Sequence, residues 1–222
     1  MSRVESRLIG EVERAQAPDN PKQRALLEAA ARIIATHGPE AVSVRALAAE
    51  VGTSTMAVYT WYGSKANLMR AVFHEAFRRF GERLVGESRD GDPLVVLIRL
   101  GRAYREHALA NPNLYVVMFG QNPALFEPSA ADLVLAASTF EILVDAVSRC
   151  VDAGVLSCEP RSGAWQIWAS VHGAMSLELL QNEPPGSDGL AVEAYRGLAR
   201  TILIGLGADP AEYDRAFAEA AE

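Results

Sequence analysis

Cysteine and lysine are the scarcest reactive residues of this chain, with two of each. Only Cys150 and Cys158 are present, too few and too close for a disulfide framework, and no Cys/His run has zinc spacing. Both read as reduced thiols, with a redox pair as the alternative, and no metal is expected. No stretch of about 18 uncharged apolar residues occurs, and the opening MSRVESRLIGEVERAQ lacks the apolar core of a signal peptide. A cytoplasmic protein with no membrane partner is expected. There is no two-residue apolar alternation, repeat or low-complexity tract, which leaves an all-α chain. A nucleophile elbow, a phosphate loop and a spaced acid pair are missing too, and His37, His74, His107 and His172 stand alone. An enzyme is therefore not expected, nor a cofactor.

What is there begins with charge. The chain has 222 residues and a net charge of −7, with half its residues hydrophobic, enough for one or two domains and a sizeable core. Residues 1–90 hold 13 Lys and Arg against 11 Asp and Glu, a balance of +2, whereas residues 91–222 hold 8 against 17, a balance of −9. The first part can approach phosphates while the second stays acidic. Only Lys22 and Lys65 of the 21 basic residues are lysines, and both fall in that first part.

Caps and breakers divide the chain into helices. Residues 1–19 form an arm, read as a solvated tail or as a segment able to enter a minor groove. Asn20-Pro21 opens a helix that Gly38-Pro39 closes, with Leu26, Leu27, Ala30, Ile33 and Ile34 as its inner stripe. Ser64 opens a longer one reaching Glu87, weakened at its far end by Gly81 and Gly86. Further helices are expected at Pro93–Ala110, Leu114–Phe119, Asp132–Ala153, Ser162–Gln181 and Leu190–Leu206, then a short one from Asp209-Pro210. Loops separate them at SRDGDP, 121–129 and 182–189.

Residues 43–68, SVRALAAEVGTSTMAVYTWYGSKANL, organise the first part. Ser43 can cap a helix whose Val44, Leu47, Ala48 and Val51 share one face; Gly52 allows a sharp turn, and Thr53 or Ser54 caps a second helix. Two helices joined by a glycine-bearing turn make a helix-turn-helix, and the helix at residue 20 completes a three-helix unit. Outside the second helix stand short hydroxyls, a methionine and aromatics, which fit a major groove and can meet base edges and thymine methyls. Lys65 lies in the first turn after Ser64, where a cation opposes the helix dipole unless a phosphate is near.

The run Leu47-Ala48-x-x-x-Gly52-x-Ser54-x-x-x-Val58-Tyr59-x-x-Tyr62-x-Ser64-Lys65-x-x-Leu68 resembles the TetR/AcrR family pattern L-A-x-x-x-G-V-S-x-x-x-L-Y-x-x-F-x-S-K-x-x-L. It departs at Thr53, at Thr55 in place of a frequent Lys or Arg, and at Tyr62. The resemblance implies an N-terminal DNA-binding domain at 20–66, a helical effector-binding and dimerisation domain at 67–207 and a terminal helix at 208–222. It also implies a DNA-facing set of Arg45, Thr55, Met56, Tyr59, Thr60, Trp61 and Lys65. Trp168-Ala-Ser-Val-His172-Gly173 resembles the Trp-x-x-x-His-Gly signature found in part of that family. Trp168 and His172 are neighbours on one helix face, lining a cavity or packed as core.

One recognition helix covers a half-site, and two about 34 Å apart read a palindrome. The family reading is thus a ligand-responsive regulator, a repressor, binding double-stranded operator DNA as a homodimer. Its dimer helices would be 162–181 and 190–206, through Ala164, Ala169, Gly173, Ala174, Leu177, Ala194, Leu198 and Ile202. An apolar or aromatic small molecule is the expected effector, with Phe77, Tyr104, His107, Met118, Phe140, Trp168 and His172 as candidate contacts or, alternatively, as core. Arg105 and His107 would meet a carboxylate if the effector carries one. A helical protein-interaction module and, last, an enzyme on a helical scaffold are the competing classes.

Overall fold

Local capping chemistry sets where the helices start. In the computed structural model, which describes residues 18, 20–87, 91–120, 126–179 and 189–221, the Asn20 side chain accepts from the Gln23 amide at 2.9 Å and Gln23 Oε1 from the Asn20 amide at 3.1 Å. This reciprocal box starts α1 (Pro21–His37). Ser43 starts α2 (Val44–Glu50) and Ser54 starts α3 (Thr55–Tyr62). The remaining helices are α4 (Lys65–Glu87), α5 (Pro93–Ala110), α6 (Pro112–Phe119), α7 (Ala130–Asp152), α8 (Pro160–Leu179), α9 (Leu190–Gly205) and α10 (Pro210–Glu219). Among the described residues there is no strand, and no helix is long and apolar enough to cross a membrane.

Several bounds differ from expectation for identifiable reasons. A 3-10 turn at Pro39–Ala41 follows α1. Helix α6 begins two residues early because Pro112, which has no amide to satisfy, suits the first helical position. Helix α7 also begins two residues early. Ser129, which precedes it, accepts from the Asp132 amide through Oγ at 3.3 Å, while the Asp132 side chain turns inward. The Glu159 carboxylate accepts from the amides of Arg161 at 3.0 Å and Ser162 at 2.6 Å, which moves the start of α8 to Pro160. The expected arm, apart from Pro18, and most of the expected loops lie outside the described residues, as do residues 180 and 181 at the expected end of α8.

Contacts divide the chain into two compact units, with the N-terminal unit containing the helices up to Glu82 together with Ala110–Thr139. In its core are Leu26, Leu27, Ala30 and Ile34 of α1, with Leu47, Val58, Leu68 and Val72, while Ile33 is only half-buried. Helix α6 packs on α1. Two buried carboxylates tie α4 into this unit. Glu75 accepts from Arg78 Nε at 2.7 Å and Arg79 Nε at 2.6 Å, and Arg79 Nη2 reaches Glu28 of α1 at 3.0 Å. Burial pushes the Glu75 carboxyl up, but the two guanidiniums outweigh it and hold it below the usual range. Asp132 accepts from Arg70 Nε at 3.1 Å and from the Ser129 amide at 2.7 Å, with His74 Nε2 at 2.5 Å.

The C-terminal unit contains Arg83–Leu109 and Phe140–Glu222. Helix α5 supplies much of its core, and α8 packs against α9. Cys150 is buried, which pushes its thiol up to about 12, and both cysteines are free thiols. Helix α10 returns to α9 through a two-pronged Arg200–Asp214 pair, at 3.0 and 3.2 Å.

Candidate functional site

The first site is the outer surface of α2, α3 and the start of α4. Val44, Leu47 and Ala48 bury one face of α2, and Val58 anchors α3, so the remaining side chains of α3 are displayed by default. The turn between them requires Gly52, whose φ of +64° is in the left-handed region. Its carbonyl accepts from Lys22 Nζ at 2.6 Å, giving that lysine a place in holding the turn. Gly63, at φ +74°, ends α3 and lets Ser64 start α4, its Oγ accepting from the Asn67 amide at 3.1 Å.

The surface so built is open and carries uncommitted charge. Met56 is 76% exposed and Tyr59 45% exposed. Thr60 is exposed, although its hydroxyl donates back to the Met56 carbonyl at 3.0 Å, which leaves an oxygen lone pair to accept. Thr55 and Trp61 are half-buried, the indole meeting Tyr62 edge-on. Arg45 is exposed and Lys65 half-buried, and neither makes an ion pair among the described residues. All seven expected DNA contacts thus lie on α2, α3 or the first turn of α4.

The seven expected effector contacts divide between the two units. Phe77 and Met118 are buried in the N-terminal unit, where Phe77 packs 4.8 Å from Phe73. In the C-terminal unit, Phe140, Trp168, His172 and Tyr104 form a connected row. Trp168 lies 6.2 Å from Phe140 and stacks on His172 at 5.1 Å, and Tyr104 Oη is 2.8 Å from His172 Nδ1. Burial lowers the His172 pKa, which favours the neutral ring. His107 is buried in the same unit. Arg105, expected to meet an effector carboxylate, forks onto Glu178 instead, with Nε at 3.1 Å.

A cleft of about 420 Å³ opens in the C-terminal unit among α5, α8, α9 and α10, and none of those seven residues lines it. Its walls include Ile98, Ile167, Val171 and Leu203, and Arg102, Arg105 and Arg196 stand along it. Sequence reading passed over Arg102 and Arg196. The available signal was weak: an arginine one turn from an acid, as Arg196 is from Glu193, reads as a helix-surface pair.

Of the expected dimer residues, Ala164 is fully buried within its own chain and so is unavailable to a partner. Ala169, Gly173, Leu177 and Ala194 are exposed, and Ala174, Leu198 and Ile202 half-buried.

Comparison with known proteins bears on both halves. Residues 26–72 match the family described as bacterial regulatory proteins, tetR family, and residues 97–201 match a tetracyclin repressor-like C-terminal domain. An uncharacterized HTH-type transcriptional regulator of Mycobacterium tuberculosis H37Rv, Rv1556, is 28% identical over 179 residues, covering 78% of this chain and 83% of that protein. The fold is similar to that of PfmR, a TetR family transcriptional regulator from Thermus thermophilus, with TM-score 0.66 and 24% identity over 82% of this chain and 98% of that one. It is also similar to AmtR of Mycobacterium smegmatis, with TM-score 0.63 and 18% identity over 93% and 97% of the two chains.

Proposed function

We propose, from the matches of residues 26–72 and 97–201 to tetR-family and tetracyclin repressor-like models, that this chain is a TetR-family regulator with an N-terminal DNA-binding domain, a one-component repressor that binds a palindromic operator as a homodimer and releases it when a small molecule binds. The observation that carries the DNA half is the outer face of α3, with Met56, Tyr59 and Thr60 displayed between two uncommitted cations, Arg45 and Lys65. Lys65 anchors a phosphate; Arg45 forks onto a guanine edge or a phosphate.

Dimerisation is supported by an outward strip on α8. Trp165, Ala169, Gly173 and Leu177 recur every four residues and are all exposed, Trp165 at 58% and Leu177 at 62%. Ala194, Gly197 and Thr201 give α9 an exposed strip of small residues. Large apolar side chains in such a row call for a cover, and small ones let helices approach closely. The effector is received in the C-terminal unit, where the row Phe140, Trp168, His172 and Tyr104 responds to it, as in the Trp-x-x-x-His-Gly reading. A ligand acts only if the DNA-incompetent dimer binds it more tightly than the competent one.

The test is a fluorescence-anisotropy titration of DNA from upstream of the protein's own gene against a scrambled duplex of equal length, with mass measured in parallel. Binding by a dimer at least tenfold tighter than to the scrambled duplex is expected. Equal affinity for the two duplexes, or a monomer on the site, would refute the proposal.

A further inference from the structure

The cleft among α5, α8, α9 and α10 has a composition that a packing defect would not have. Its volume, about 420 Å³, lies in the range of small-molecule sites, roughly 300–1,000 Å³. Its walls are mainly aliphatic and aromatic, and its charged residues are three arginines and one glutamate. These charges are not equally free. Glu106 is taken by Arg83 at 2.8 Å, and Arg105 is forked onto Glu178. Arg102 has no carboxylate partner among the described residues: its Nη2 donates to the Phe217 carbonyl at 2.9 Å and its guanidinium lies 4.6 Å over the Phe217 ring. Arg196 is exposed and makes no ion pair among the described residues, although Glu193 precedes it by one turn. Two guanidiniums without a carboxylate counter-ion among the described residues therefore border an apolar cleft.

We propose that this cleft binds an amphiphile with a single anionic head, a carboxylate carried on an aliphatic tail. The head is held by Arg196 and Arg102, and the tail lies against Ile98, Ile167, Val171 and Leu203. Guanidinium suits a carboxylate because its planar donors match the two oxygens. A neutral lipophile of the same shape forgoes that contact, and a cation is repelled. Arg102 and Tyr195 give the site its rigidity: the Tyr195 hydroxyl donates to the Gly101 carbonyl at 2.7 Å, fixing α9 on α5 along the cleft wall. Ile167 and Val171 each precede a member of the aromatic row, Trp168 and His172, so a tail seated on this wall touches the helix that carries them. The assignment names the chemical class of the effector and rests on the effector-responsive reading above.

The experiment uses the full chain with decanoate, decanol and decyltrimethylammonium below their aggregation limits, followed by calorimetry and by operator release in separate arms. Decanoate is expected to bind about tenfold or more tightly than decanol, the effect of a hydrogen bond to a charged group, and the cation not to bind. From hexanoate to decanoate, affinity should rise roughly fourfold per methylene until the cleft is filled. Arg196→Gln, at an exposed residue with no ion pair to lose among the described residues, should cost decanoate about threefold to fivefold, the reach of a solvated pair, and decanol nothing, and Ala199→Phe should block both by filling the cleft. Equal binding of decanoate and decanol, no binding of either, or an Arg196→Gln variant that binds like wild type would overturn the assignment. Arg196-dependent binding that leaves operator DNA bound upholds the cleft and overturns effector response. Release of DNA by decanoate that is indifferent to Arg196 upholds effector response and overturns the cleft.

Discussion

Replacing Lys65 by alanine should move stability and DNA affinity in opposite directions. Lys65 is the first residue of α4, directly after the Ser64 cap, among the amides at the positive end of the helix. It makes no ion pair among the described residues, so its charge is uncompensated there. Removing a cation from a helix N-terminus relieves about 0.3–1 kcal/mol. In a chain of this size that is a rise in Tm of roughly 1–4 °C. On DNA the sign reverses. Each neutralised phosphate contributes about 0.9 to the slope of log affinity against log salt, so two protomers lose about 1.8. Between about 50 and 200 mM salt, wild-type affinity should therefore fall roughly twelvefold more than that of Lys65→Ala. The loss should be equal for operator and scrambled duplexes, since a phosphate contact positions without specifying. Scanning calorimetry of the free protein and anisotropy across a salt series measure both quantities. An unchanged salt slope refutes the phosphate contact, and a fall in Tm refutes the account of Lys65 as a strained, uncompensated charge.

Three further outcomes follow from other parts of the structure. Arg45→Ala, at an exposed side chain with no ion pair among the described residues, should relax base preference at one position of each half-site by about 1–3 kcal/mol in a selected-site experiment; an unchanged profile would limit Arg45 to phosphate or to nothing. Leu177→Glu should shift the dimer to monomer in analytical ultracentrifugation while leaving far-UV circular dichroism intact, because Leu177 is 62% exposed within the chain; a stable dimer would move the interface elsewhere. Asp132 has a carboxyl that burial pushes up but that Ser129, His74 and Arg70 bring down to about 2, from an ordinary 3.8. A depressed acid stabilises the fold above its unfolded pKa, so about 2 kcal/mol should be lost as pH falls from roughly 4 to 2. Asp132→Asn should flatten that part of the acid-denaturation curve, and a curve superimposable on wild type would count against the cluster.

The helix-turn-helix was legible in the sequence because local rules build it. Asn20, Ser43, Ser54 and Ser64 each accept an amide three residues on, and Gly52 and Gly63 take the positive φ that their turns require. Each of these signals spans a few residues. Asp132 was misplaced for the opposite reason: two of its partners, Arg70 and His74, are 62 and 58 residues away, so its role as a buried acceptor has no local sign. The cleft was invisible on the same ground. Tyr195 meets Gly101 across 94 residues and Arg102 meets Phe217 across 115. Arg105 shows the intermediate case. Its attraction to a carboxylate was readable, but the carboxylate is the chain's own Glu178, 73 residues on.

The distribution of charge bears on both proposed activities at once. Residues 91–222 have a balance of −9, yet the cleft in that part is bordered by arginines whose charges are only partly answered by acids. An acidic surround repels nucleic acid and small free anions alike, at ranges of about 10 Å in moderate salt. Head-group attraction at an exposed arginine is weak on its own, about 0–1 kcal/mol for a solvated pair. A tail of eight or nine methylenes adds about 0.8 kcal/mol for each one buried. The apolar wall therefore supplies affinity, while Arg102 and Arg196 select the sign of the head group. Selection by two weak conditions met together is what distinguishes an amphiphilic acid from the many short acids that satisfy only the charge.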